Sequence, residues 1–125
     1  MFRDKQFEVV LLSQTLQTVA DPRKVLLELV RVGETGIVSF PNFAHKSVRE
    51  YFSRVGRAPV TEAFPYTWYD SPNRHFLSIL DFEDLCQTLG IRIHRMLALD
   101  WATKRQVKKE PNLNADLAIF VISRP

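Results

Sequence analysis

The sequence predicts a single α/β domain on an open, mostly parallel sheet, with helices on both faces and a last strand antiparallel to the rest. Three observations carry this reading. The apolar runs Phe7–Leu12, Gly36–Phe40 and Leu117–Ile122 have the length and near-continuous hydrophobicity of strands covered on both faces. Segments of helical spacing lie among them, so the chain reads strand, helix, strand, helix, loop, helix, strand, strand. Finally, 125 residues that are 46% hydrophobic, with 4 Gly and 7 Pro, make one globular domain with a packed core, too short for two and unlike a disordered or fibrous chain.

The first strand, Phe7-Glu8-Val9-Val10-Leu11-Leu12, stops at the polar Ser13-Gln14-Thr15. Asp21-Pro22 then supplies an N-cap and a proline at the first helical position, and Val25, Leu26, Leu29 and Val32 share one helical face ahead of Gly33. The second strand, Gly36–Phe40, ends at Pro41-Asn42 because proline donates nothing to a ladder. A parallel pair joined through a helix implies a right-handed crossover. Val48, Tyr51, Phe52 and Val55 recur at helical spacing, and Gly56 suits a left-handed terminal position. Periodicity fails from Arg57 to Ile79, where Pro59, Pro65 and Pro72 accompany a set of aromatic and polar residues; a segment this long inside one domain serves as a lid, a binding loop or a partner surface. Asp81 is placed to cap a helix with Phe82, Leu85, Cys86 and Leu89 on its apolar face and Gly90 at its end. Ile91, Ile93, Arg95, Leu97 and Leu99 alternate with His94, Met96 and Ala98 as an extended segment. A polar, basic connection from Trp101 to Ala115 leads to Leu117–Ile122, and the two last strands are expected to pair antiparallel across it.

Composition excludes several functions. One cysteine, Cys86, and three scattered histidines leave no disulfide framework and no metal-ligand set. Cys86 reads as a small buried hydrophobe. A charged opening, Met1–Gln6, and the lack of any stretch near ~18 apolar residues point to a cytoplasmic protein without a membrane segment. Seventeen basic and 14 acidic side chains leave a net charge of +3, too small an excess to argue for nucleic acid. The cluster Arg92, Arg95, Lys104, Arg105, Lys108 and Lys109 reads as a solvated rim. Ser39 lies inside a strand with no neighbouring histidine or glycine elbow, which sets aside serine hydrolase chemistry.

The strings Phe7–Gln17, Leu29–Gly33, Gly36–Phe43, Pro65–Asp70, Pro72-Asn73, Asp81-Phe82 and Pro111–Leu113, in that order along nearly the whole chain, resemble the MetW family of methionine-biosynthesis proteins. The resemblance implies the class I S-adenosylmethionine-dependent methyltransferase fold, a Rossmann-like sheet whose seventh strand is inserted antiparallel between the fifth and sixth. The four strands here are then the fourth to the seventh, and residues 1–125 form one incomplete domain, the C-terminal half of that fold. The family's glycine-rich turn for the cofactor and its acidic residue for the ribose have no counterpart among these residues. S-adenosylmethionine is therefore expected in the intact family fold, and this chain alone is expected to be inactive as a methyltransferase. Its first strand, central in the family sheet, becomes an edge, so self-association through Phe7–Leu12 is expected. The family acts alongside homoserine O-acyltransferase. The implied function is support of that step through protein interaction; the alternative is methyl transfer to a small acceptor, with the missing half supplied.

Candidate site residues follow from a general rule, that ligands of open α/β sheets lie outside the carboxyl ends of strands. Ser13 and Gln14 end the first strand, and in the family position they face the cofactor's methionine portion or the substrate; on their own they read equally as a polar strand end. Asn42 holds the same rim after the second strand, or caps the next helix. Tyr66, Trp68, Tyr69, Asp70 and Asn73 form an aromatic-polar patch suited to a substrate pocket or to a partner. His75 comes where many class I methyltransferases carry a histidine facing the acceptor, yet no carboxylate accompanies it in sequence.

Overall fold

In the computed structural model, which describes residues 1–125, the apolar runs form strands and the periodic segments form helices. Along the chain these are β1 (Phe7–Ser13), a 3₁₀ turn (Leu16–Thr18), α1 (Pro22–Val32), β2 (Gly33–Pro41), α2 (Lys46–Val55), α3 (Ile79–Leu89), β3 (Arg92–Asp100), the two-residue β4 (Arg105–Gln106), α4 (Pro111–Asn114) and β5 (Leu117–Ser123). No helix is long and apolar enough to cross a membrane.

Asp21 caps α1 by accepting from the amides of Arg23 and Lys24, as its place before Pro22 predicts. The helix passes into β2 without a loop, three residues earlier than the apolar pattern predicts, because Gly33 and Gly36 let β2 lie close under α1. A Cβ on Gly36 would meet Leu29 Cδ2 at 2.0 Å. The start of α3 also differs from expectation. Ser78, not Asp81, is the N-cap; Asp81 stands three residues on and accepts from the Ser78 amide while Ser78 Oγ accepts from the Asp81 amide, a reciprocal capping box. Gly56 and Gly90 end α2 and α3 in the left-handed conformation, both at φ 72°.

The strands form one sheet in the order β1-β2-β5-β3-β4. β1 and β2 are parallel, and β5 enters between β2 and β3, antiparallel to each. This is the insertion expected of the last strand. The expectation of a mostly parallel sheet fits loosely, since β1, β2 and β3 share a direction but β5 separates β2 from β3. β4 adds a short ribbon on β3 within the segment expected to be a plain connection.

The registers place Val10 and Leu12 of β1 beside Gly36 and Val38 of β2, and Val38 and Phe40 beside Phe120 and Ala118 of β5. Side chains alternate along a strand, so these positions share a face. Leu26, Leu29 and Val30 of α1 and Ile79, Phe82 and Cys86 of α3 join them in the core. Phe40, Phe82 and Phe120 meet at its centre with ring centroids 4.5–5.9 Å apart. Each such buried ring contributes about 1.5–3 kcal/mol from apolar burial.

Helices α1 and α3 touch each other and so cover the same face. The expected helical layer on the opposite face is absent from these residues. There Val9 is 54% and Leu11 65% exposed, and Ile37, Leu97, Ile119 and Val121 are only half-buried. α2 contributes no cover, because it sits beyond the carboxyl ends of the strands, beside Asp100 and Asp116. Before β1, Arg31 ties the N-terminal residues to the end of α1, donating to Asp4, Glu28 and the Phe2 carbonyl.

Candidate functional site

The carboxyl ends of β1 and β2 define a rim whose geometry begins with a strained residue. Gln14 adopts φ 48°, a left-handed conformation unusual for a residue with a side chain. Its amide donates to the Ser39 carbonyl at 2.8 Å and to Ser39 Oγ at 3.2 Å, and its carbonyl accepts from Gln17 Nε2 at 3.0 Å. Strain held by three bonds at a strand end marks a place where side-chain direction matters. Gln14 lines a polar cleft of about 270 Å³ together with Gln17, Tyr66, Asn73, Trp101 and Asp116. Ser13 is exposed, is not among the cleft's residues, and uses its carbonyl to accept from Thr15 Oγ1.

Sequence reasoning missed three members of this cleft. Gln17 is 6% exposed, with Oε1 buried and unpartnered. Asp116 is 7% exposed and accepts from the Trp101 amide at 2.7 Å. A lone carboxylate directly before an apolar strand is the one signal that could have found Asp116; Gln17 and Trp101 offer none.

Asn42 is fully buried. Its Nδ2 donates to the carbonyls of Asn112 and Ala115 at 3.0 and 2.7 Å, and its Oδ1 accepts from the Ala44 amide. The side chain thus clamps the end of β2 to the segment before β5. It does not cap α2; His45 does, through Nδ1 accepting from the Ser47 amide. Burial lowers the pKa of His45, a shift opposed by the Asp116 carboxylate, and the neutral ring is the form that can accept at Nδ1.

The irregular segment between α2 and α3 is tethered to the 3₁₀ turn. The amides of Arg74 and His75 donate to the Gln17 carbonyl, and His75 Nε2 lies 2.9 Å from the Val19 carbonyl. That contact makes Nε2 the protonated nitrogen and commits His75 to holding the loop. Phe43 packs edge-on to Phe64 at 5.1 Å and tilted on Phe76 at 4.6 Å. These rings, with Tyr66, Trp68, Asn73 and Phe52 and Arg49 of α2, line a second, open cleft of about 600 Å³. Tyr66 and Asn73 line both clefts. Tyr69 and Asp70 line neither, and Trp68 and Tyr69 stand 78% and 75% exposed as an edge-on pair.

The residues present do not by themselves fit S-adenosylmethionine. All four glycines are occupied elsewhere, Gly36 beneath α1 and Gly33, Gly56 and Gly90 at helix ends, so none opens backbone amides toward the rim. Gln14 offers one wall only.

Comparison with solved structures confirms the fold. An S-adenosylmethionine-dependent methyltransferase from Thermotoga maritima superposes with a TM-score of 0.64 at 18% identity, over 99% of this chain and 58% of that one. One from Methanosarcina mazei superposes with a TM-score of 0.57 at 14% identity, over 98% and 61%. A curated relative from Rhodopirellula baltica, the bifunctional methionine biosynthesis protein MetXA/MetW, is 37% identical over 126 aligned residues. The chain spans 98% of its own length in that alignment but only a fifth of the relative's. The model of the family described as methionine biosynthesis protein MetW matches residues 1–122, and the chain belongs to that family.

Proposed function

We propose that this chain works in methionine biosynthesis by direct contact with homoserine O-acyltransferase, supporting that step as part of a methyltransferase-like domain whose first three strands lie outside these residues. The observation that carries the reading is the Rhodopirellula baltica relative, whose name joins MetXA and MetW in one polypeptide. Fusion holds two domains at millimolar effective concentration, an arrangement that favours partners that work in contact. The exposed pair Trp68 and Tyr69 supplies the contact surface, since large rings with polar tips anchor interfaces. The open edge of β1 favours self-association when nothing else covers it. Immobilised chain is expected to retain the acyltransferase, and Trp68→Ala with Tyr69→Ala to abolish retention; undiminished retention by the double variant would place the contact elsewhere.

A second reading, methyl transfer from S-adenosylmethionine to a small acceptor, is favoured by the methyltransferase neighbours and by the strained Gln14 on the polar cleft. It requires the other half of the family domain, which lies outside these residues. Calorimetry on a protein carrying that half is expected to detect S-adenosylmethionine binding that weakens with Gln14→Ala; absence of heat with folded protein would remove this reading.

A further inference from the structure

We propose that the cleft between α2 and the aromatic loop is a binding site for a small amphipathic acid, with a flat or chain-like apolar body and one terminal carboxylate. Its volume of about 600 Å³ lies within the range of ligand sites, roughly 300–1,000 Å³. Phe43, Phe52, Phe64, Tyr66, Trp68 and Phe76 make the walls, and the contacts of Phe43 with Phe64 and Phe76 hold part of that wall in place before any ligand arrives. Arg49 is the one charged residue lining the cleft. Its Nε donates to the Ala44 carbonyl at 2.6 Å, which anchors the guanidinium, and it belongs to no ion pair. The nearby Arg54, by contrast, is paired with Glu50.

The ligand class follows from these walls. A neutral apolar molecule leaves the free guanidinium without use, a cation is repelled by it, and a multiply charged anion loses hydration against six aromatic rings. A single carboxylate accepts from the terminal guanidinium nitrogens while its apolar body replaces water among the rings. The site shares Trp68 with the proposed acyltransferase contact, but Arg49 and Ala58, the residues varied in the test, line the cleft and are no part of that contact, so the two readings fail separately.

The test compares 1-naphthoate with the equally shaped but uncharged 1-naphthylmethanol, and decanoate with decanol, by equilibrium dialysis against the full chain. Saturable one-to-one binding is expected, with the acid preferred about three- to fivefold, as for a partly exposed arginine–carboxylate pair. The better pair of probes tells an aryl body from an acyl one. Arg49→Gln should remove the preference for the acid and leave alcohol binding intact, and Arg49→Lys should keep part of it. Ala58 also lines the cleft and is exposed, outside the core, so Ala58→Phe takes up cleft volume without repacking the core and should abolish binding of both probes. Equal binding of acid and alcohol to the native chain overturns the proposal. So does Ala58→Phe binding both as before, which would assign them to the bare sheet face.

Discussion

Removing the Asn42 side chain strands one buried carbonyl, one half-buried carbonyl and an amide at once, because its amide group serves Ala115, Asn112 and Ala44. Asn42→Ala is therefore expected to cost about 2–4 kcal/mol, read from the shift in urea midpoint, whereas Ser13→Ala at the exposed strand end should cost almost nothing. His45 makes a pH prediction. Its folded pKa is lowered by burial, so near the ordinary histidine value of about 6.5 the unfolded chain binds more protons than the folded one. Stability then rises with pH through that window and is lost as pH falls from about 6.5 toward the lower folded value. Protonation also ends the Nδ1 acceptance that caps α2. His45→Asn keeps a capping oxygen and should flatten the dependence between about pH 7.5 and 5.5; an equal slope in the variant would assign it to another group. Cys86 was legible from the sequence as an inert core residue, and burial pushes its thiol pKa up to about 12. The candidate site was legible only in part. Gln14, Tyr66 and Asn73 do converge on one cleft, but Asn42 and His75 are spent on structural bonds, because which polar groups the backbone will need is decided by folds in the chain that no local pattern encodes.

Turns and caps decide where the helices and strands begin and end. Ser78→Ala removes one half of the α3 capping box and is expected to lower stability by about 1 kcal/mol. Asp81 drew attention in the sequence because it precedes the apolar face of α3; the true cap lies three residues earlier, and an S-x-x-D spacing was the signal for it. Between α1 and β2 the determinant is space. Gly36→Ala puts a methyl group against Leu29, which is itself buried, and about 1–3 kcal/mol of overpacking is expected, measurable as a lowered melting temperature. Strands and helices were legible because hydrophobic period is local. β4, the 3₁₀ turn and α4 were not, since two to four residues carry no period and form only where neighbouring elements hold them.

At the scale of the whole molecule the two sheet faces differ: one lies beneath α1 and α3, and the other leaves Val9 and Leu11 in solvent. The sequence announced both faces of β1 as apolar, and the structure covers one of them. Leu11→Lys is expected to reduce self-association in sedimentation velocity while leaving the melting temperature nearly unchanged, because the residue it replaces is already 65% exposed. An unaltered sedimentation profile would place any self-contact on another surface. The position of β5 between β2 and β3 also orders events in time. A ribosome that has released everything up to α4 has made two separate pieces of sheet, β1 with β2 and β3 with β4, whose facing edges are both open. Only when β5 emerges can the pieces be zipped together, so a nascent chain stalled before Leu117 should remain a substrate for chaperones.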